Sequence, residues 1–528
     1  MKAVDHVLAL DHGTTSTRAM VFDATGSPVS TSQIPHAQFT PQPGWVEHDA
    51  LEVWHNARHV IAEALDRAAL ATRDVAAVGI ANQRETTVVW DRRDGRPVAP
   101  AIVWQDVRTA QQIDGIDRAV GGTEVRRRTG LQLSSYFSVT KLMWILDNVP
   151  GVREAADAGH LMFGTMDTWL LWNLTGGSVG GVHSTDVTNA SRTALMDIRA
   201  LRWDDDLLAA LRIPRSLLPE IHPSADRFGL VRTGGPLDGV AVAALVGDQQ
   251  AALYGHGITT PGQAKCTYGT GGFVMSHTGT GAVLSDSGLL PTAAFQQAGS
   301  PVTYALEGSI AVAGSLFQWL RDRLRVLDDV RDSERLAASV EDSAGIVLVP
   351  AFSGLFAPHW RPDARGAILG LTSYAGREHI VRAGLDAIAH QVADVSDAAQ
   401  QDSGLRIDEL SVDGGATSNA LLMQIQADIL GIPVRRPRML EMTAYGAALA
   451  AGVGIGLWAD RQAAPTIQDH DSWTPTRTPS WRTATRAQWA DAVQRSLGWA
   501  GSQAHDPRDR SEGGPDGDAV HSSRPSQR

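Results

Sequence analysis

Asp11-His12-Gly13-Thr14-Thr15-Ser16-Thr17-Arg18, set between the apolar runs 7–10 and 19–22, decides how the chain is read. Two strands joined by a glycine and small hydroxyl residues make a hairpin whose tip can grip an anion. Gly13 admits a tight turn and puts no side chain in the way, so backbone N–H groups and Thr/Ser oxygens can converge on a phosphate. Asp11 supplies a hard carboxylate oxygen where a Mg²⁺ riding on that phosphate needs one. The same residues also make ordinary turns, so the phosphate reading has to be supported from elsewhere in the chain.

The layout returns at Tyr268-Gly269-Thr270-Gly271-Gly272, which follows 263–267 and precedes the apolar Phe273-Val274-Met275. Two such hairpins half a chain apart predict a duplicated architecture closing around one nucleotide. A third glycine turn, Asp413-Gly414-Gly415-Ala416-Thr417-Ser418-Asn419, leads from an apolar strand into the amphipathic stretch 421–429. Its form suits close backbone approach to a nucleoside, with an anion at a helix N-terminus.

Apolar runs outside these turns alternate between strand and helix. Helices are predicted at 51–70, 309–325 and 379–399, and strands at 75–80, 87–90, 161–164, 346–350 and 410–412, which is the pattern of α/β layers. A chain of 528 residues exceeds one ordinary core. The boundary is placed near 255–262, giving an N-terminal domain over 1–256, a C-terminal domain over 257–498 and a polar tail over 499–528 that is expected to be disordered. The uncharged run 442–459 is long enough to span a membrane, but its glycines and alanines predict a buried helix ending in a glycine turn.

A formal charge of −12 argues against nucleic acid as a partner and leaves a small metabolite as the better expectation. The single cysteine, Cys266, excludes an intramolecular disulfide framework, suits a reducing cytoplasm and reads as a buried filler. The first six residues lack the apolar core of a signal peptide. No G-x-x-x-x-G-K-[ST] loop or dinucleotide fingerprint is present, and His183, His256, His359 and His379 share no metal-ligand spacing such as H-x-x-x-H.

Asn82-Gln83-Arg84-Glu85-Thr86 puts a guanidinium and a carboxylate side by side at the end of a strand. That pair offers a polyol both donors and acceptors, with Trp104 and Phe273 as an apolar wall for its C–H faces; it is equally readable as a solvated ion pair. Asp248, in Gly247-Asp248-Gln249-Gln250, is either a helix N-cap or a general base for a hydroxyl attacking a bound γ-phosphate. Spacing alone does not separate the two roles.

These blocks resemble the FGGY family of carbohydrate kinases over about residues 5–498. One family signature resembles Tyr136-Phe137-Ser138-Val139-Thr140-Lys141-Leu142-Met143-Trp144, and a second resembles Gly366-Ala367-Ile368-Leu369-Gly370-Leu371 continuing to His379-Ile380-Val381-Arg382-Ala383-Gly384-Leu385-Asp386. Pro43-Gly44-Trp45-Val46-Glu47-His48-Asp49, Thr165-Met166-Asp167-Thr168-Trp169 and Thr188-Asn189-Ala190-Ser191-Arg192-Thr193 resemble the members that act on glycerol. The resemblance implies two ribonuclease H-like domains of the actin and Hsp70 ATPase type around a central cleft. It implies ATP and Mg²⁺, with Thr14, Thr15, Ser16, Arg18 and Thr270 on the phosphates, Gly314, Gln318, Gly415 and Asn419 lining the nucleotide site, and Asp11 on the metal. Glycerol is implied against Arg84, Glu85, Tyr136, Asp248, Gln249, Trp104 and Phe273, with Asp248 as base, in a homodimer or homotetramer. The alternatives are a kinase of this family for another polyol or a ketose, and a non-metabolic actin-like ATPase. His12 departs from the family pattern, which has glutamine there.

Overall fold

The computed structural model describes residues 6–500; most of the predicted disordered tail lies outside them. The first hairpin is the start of an antiparallel meander of β1 (His6–His12), β2 (Ser16–Asp23) and β3 (Pro28–Pro35). After α1 (Ala50–Arg67), whose first turn is capped by the Asp49 carboxylate, two strands add in parallel on the other side of β1. They are β4 (Val75–Asn82) and β5 (Ala241–Gly247), so the sheet runs β3-β2-β1-β4-β5. Val7 to Leu10 and Val242 to Val246 are fully buried, as strands covered on both faces require. An antiparallel edge strand, Ala225–Leu230, completes this sheet beside β5.

The second half repeats the design. β6 (Ala264–Tyr268), β7 (Gly272–Gly279) and β8 (Thr303–Ile310) form the meander, and β9 (Leu410–Asp413) and β10 (Val434–Pro437) add in parallel beside β6. The order β8-β7-β6-β9-β10 is that of the first sheet, which is the duplicated ribonuclease H-like architecture of actin and Hsp70 ATPases. Leu290–Phe295 and His470–Trp473 extend its two edges. Cys266 is a fully buried member of the core of this half.

Each fifth strand is followed by a helix: α2 (Asp248–Gly255) after β5 and, after α3 (Gly314–Asp322), α4 (Arg377–Ser403) and α5 (Ala420–Leu430), helix α6 (Met442–Gly454) after β10. α6 packs on α2 and on the first sheet, although it belongs to the second half of the chain. The backbones touch: a Cβ on Gly446 would overlap the Ala251 carbonyl oxygen, and one on Gly79 would overlap that of Ala447. The uncharged run is thus the buried helix expected, followed by Gly456 in a left-handed turn at φ 81°. Among the described residues no helix is long and apolar enough to cross a membrane.

The helix expected at 309–325 is shorter, because Ser309 and Ile310 finish β8 and the chain turns before Gly314. Residues 83–240, between β4 and β5, supply most of a further core around Phe137, Leu142, Phe163, Leu195 and Trp203, which Leu290, Ala293, Val302 and Tyr304 of the second half join.

Candidate active site

β1, β4 and β5 end in register, with His12 opposite Asn82 and Asn82 opposite Gly247. The residues that follow these C-terminal strand ends therefore meet at one edge of the sheet, where open α/β sheets bind ligands. They are the first phosphate turn, Gln83-Arg84-Glu85, and Asp248. In the other half Thr267 lies opposite Asp413, which places the 269–272 turn beside the 414–419 turn.

The first turn is closed by the Gly13 N–H donating to the Ser16 carbonyl at 3.0 Å. Trp104 Nε1 donates to Thr14 Oγ1 at 3.0 Å, and Gln33 Nε2 to Ser16 Oγ at 2.7 Å. Thr15 at the tip is exposed. Arg18 is ion-paired with Glu441 from the other half and donates to Gln33 Oε1 at 2.9 Å, so a phosphate has to compete with Glu441 for it. Burial raises the Asp11 carboxyl to about 6; Arg18 opposes the rise and the nearby charge of Asp248 adds to it.

Arg84 is the centre of a buried polar cluster. It makes a two-pronged pair with Glu307 of β8, with Nη2 3.0 Å from Oε1, and its Nε lies 3.2 Å from Asp248 Oδ1. Arg192 joins the cluster, donating from Nε to Glu85 Oε1 at 2.6 Å and from Nη2 to Glu307 Oε1 at 3.2 Å. Burial opposes ionisation of Glu307, but Arg192 and Arg84 together outweigh it and hold the carboxyl at about 2. Glu85 takes a left-handed backbone, φ 63°, which a non-glycine residue adopts at a cost. Its carboxyl is raised by burial, which Arg192 only partly offsets.

Asp248 is not an N-cap: Gly247 holds that place, and Asp248 is the first residue of α2. Its Oδ1 accepts the Gln249 N–H at 2.7 Å, a quarter of its side chain is exposed, and burial raises its pKa against the pull of Arg84. Gln249 is buried, with its amide oxygen taken by the Lys265 ammonium. Tyr136, Trp104 and Phe273 form an edge-to-face run, with centroids 5.6 Å and 6.3 Å apart. Guanidinium, carboxylates and aromatic rings thus lie in one cluster, with Arg192 over the Tyr136 ring at 5.6 Å.

Across the cleft Thr270 is exposed, and its turn is braced by α3: Gly314 N donates to the Gly269 carbonyl at 3.0 Å and Ser315 N to that of Thr270 at 3.1 Å. Gln318 is exposed on α3 and Gly415 on its own turn. Asn419 spends its Oδ1 capping α5 through Leu422 N at 2.9 Å, leaving its amide nitrogen toward Ser333. A cavity of about 630 Å³, lined by His256, Arg406, Arg435 and Arg461, contains none of these residues.

The sequence reading missed Glu307, Arg192 and Lys265 as parts of the cluster. Each left a trace: a lone acid in the apolar strand Thr303–Ile310, an arginine within a run of small residues, and a lysine in a strand beside the sole cysteine.

Two glycine–threonine turns, a duplicated ribonuclease H-like fold and a buried arginine–carboxylate cluster joining its halves belong to a two-domain kinase fold of the actin and Hsp70 ATPase type. The chain belongs to the FGGY family of carbohydrate kinases, whose N-terminal domain matches residues 6–255 and whose C-terminal domain matches 264–455. It is 53% identical to a glycerol kinase of Clavibacter michiganensis subsp. michiganensis, over 94% of this chain and 98% of that one. It is 51% identical to a glycerol kinase of Brucella anthropi, over 93% and 98% of the two chains. The crystal structure of Plasmodium falciparum glycerol kinase with ADP superposes with a TM-score of 0.86 at 34% identity, covering 93% of this chain and 98% of that one. Gluconate kinase from Lactobacillus acidophilus, at 19% identity and a TM-score of 0.83 over 94% and 99% of the chains, shares the fold.

Proposed function

We propose that the protein transfers the γ-phosphoryl group of ATP to a terminal hydroxyl of glycerol, giving sn-glycerol 3-phosphate and ADP. The carrying observation is the partly exposed edge of the acceptor cluster: Asp248 lies 3.2 Å from Arg84 and presents the accessible carboxylate of an otherwise buried set. Arg84 and Glu85 give the triol fixed donors and acceptors, and the aromatic run of Trp104, Tyr136 and Phe273 limits its length. Asp248 accepts the proton of the attacking hydroxyl, while Arg84 keeps the carboxylate oriented through Nε. Thr14, Thr15, Ser16 and Thr270 hold the phosphates from two sides, with Gly314, Gln318, Gly415 and Asn419 around the nucleoside.

Asp11 fits a hard divalent ion, since a partly buried carboxyl near a second carboxylate gains when a cation arrives. Mg²⁺ bound with ATP supplies charge neutralisation on the phosphates. A homodimer or homotetramer in the cytoplasm is the assembly expected for this reading, and light scattering of the purified chain tests it.

An ADP-release assay over glycerol, dihydroxyacetone, xylulose, ribulose and no acceptor tests the reading. Glycerol-dependent turnover is expected; preference for a ketose, or turnover without any acceptor, overturns it.

A further inference from the structure

Behind the first phosphate turn, three imidazoles come together from three separate segments: His12 at the end of β1, His36 just after β3, and His48 just ahead of α1. One ring nitrogen from each lies within 4.8 Å of the other two. His12 stacks on His36 with centroids 5.0 Å apart, and His48 meets His36 edge-on at 4.6 Å. Their exposures are 0%, 8% and 0%. None of the three has a part in phosphoryl transfer as derived above.

The hydrogen bonds show an excess of lone pairs here. His36 Nε2 lies 2.9 Å from the Thr14 carbonyl oxygen and must be the N–H, so Nδ1 of the neutral ring is a lone pair, and it has no partner. Gln83 Nε2 lies 3.0 Å from His12 Nε2, 3.3 Å from His48 Nδ1 and 3.3 Å from the Gly13 carbonyl oxygen. Three acceptors thus converge on an amide that carries two hydrogens. His48 Nε2 is buried without a partner, so while Nδ1 accepts it carries an unsatisfied N–H, and in the other tautomer it is a second unpartnered lone pair. Burial first, and the neighbouring rings second, hold His12 well below its ordinary value and His48 at about 3. The rings are neutral, which is the state that ligates metals.

We propose that His12, His36 and His48 form a binding site for a borderline-soft divalent metal ion, Zn²⁺ being the type. Donors no more than 4.8 Å apart can all be reached from a point within about 2.8 Å, and ring shifts under about 1 Å bring that to the 2.0–2.1 Å of a zinc–imidazole bond. The Gln83 amide turns aside, and its oxygen or a water completes the tetrahedron. An all-imidazole set selects against Mg²⁺, so this site is distinct from the one that accompanies ATP. It touches the phosphate turn directly, because His12 precedes Gly13 and His36 holds the Thr14 carbonyl. A bound ion therefore stiffens that turn.

The test uses the full chain, stripped with a chelator and dialysed against Zn²⁺ alone, with Co²⁺ as a spectroscopic substitute. One tightly held Zn²⁺ per chain, tetrahedral Co²⁺ absorption bands and a raised thermal midpoint are expected. His12→Gln should weaken Zn²⁺ binding by at least about 100-fold and remove the thermal shift. His36→Asn should do the same, and it carries the test if circular dichroism shows His12→Gln to be misfolded. His160→Gln, an exposed histidine elsewhere, should change nothing. No Zn²⁺ retained at micromolar free concentration, or equal retention by the wild type and both cluster variants, overturns the proposal.

Discussion

Arg84 is shared between Glu307, which holds its two terminal nitrogens, and Asp248, which sees only Nε. The guanidinium is therefore fixed by the partner that is fully buried and lends its remaining edge to the partner that faces the cleft. Asp248→Asn keeps shape and loses the proton acceptor, so kcat should fall by roughly 10² to 10⁴ with little change in glycerol KM. Steady-state kinetics decide this, and an unchanged kcat would falsify the role of Asp248 as base. Asp11 gives a prediction of the opposite kind. Its folded-state pKa of about 6 lies above its ordinary 3.8, so without metal the folded protein takes up a proton as pH falls through 6, and the Asp11 contribution to stability rises toward pH 4. The gap corresponds to roughly 3 kcal/mol at most. Asp11→Asn should then raise the metal-free thermal midpoint at pH 7.5, with a smaller gain at pH 5, while losing Mg²⁺-dependent turnover. A lowered midpoint at pH 7.5 contradicts the assignment.

Helices α2 and α6 show what an element can and cannot disclose in sequence. The run 442–454 is apolar all round, which identifies burial, and its glycines announce close packing. What it packs against is set by tertiary topology, so the first sheet as its neighbour was not legible. The strands were plainer: 7–10, 19–22 and 410–412 stand as written, since short apolar runs between turns leave few options. The site was read in its local pairs, Arg84 beside Glu85 and Gly247 beside Asp248, but Arg192 and Glu307 are 115 residues apart and their pairing left no local trace. Gly446→Ala weighs two effects at the α2–α6 contact. Alanine gains about 1 kcal/mol of helix propensity, but its Cβ meets the Ala251 backbone, and forcing that overlap costs about 1–3 kcal/mol or more. The overlap wins, and because α2 begins at Asp248, kcat should fall along with the denaturation midpoint. A variant more stable than wild type refutes this packing argument.

At the scale of the whole molecule, the two halves are tied most firmly through buried polar contacts. Arg84–Glu307, Arg192–Glu307 and the Lys265–Gln249 contact cross between them in full burial, and the α2–α6 contact lies alongside. Parting these pairs gives up several mutually supporting charge-assisted hydrogen bonds at once, so opening that breaks this network is disfavoured. The exposed turn at Thr270, Gln318 on α3 and the turn at Gly415 have no such ties. Domain motion should therefore pivot about the acceptor cluster and swing the nucleotide side. A non-hydrolysable ATP analogue with glycerol should slow amide hydrogen exchange in 269–272, 314–318 and 414–419, and should lower the radius of gyration in solution scattering, while exchange in β4 stays as it was. Exclusion of water follows from that closure, and turnover with ATP alone should be at least about 100-fold below turnover with glycerol. Exchange that changes first in β4, or a radius of gyration indifferent to both ligands, places the pivot elsewhere.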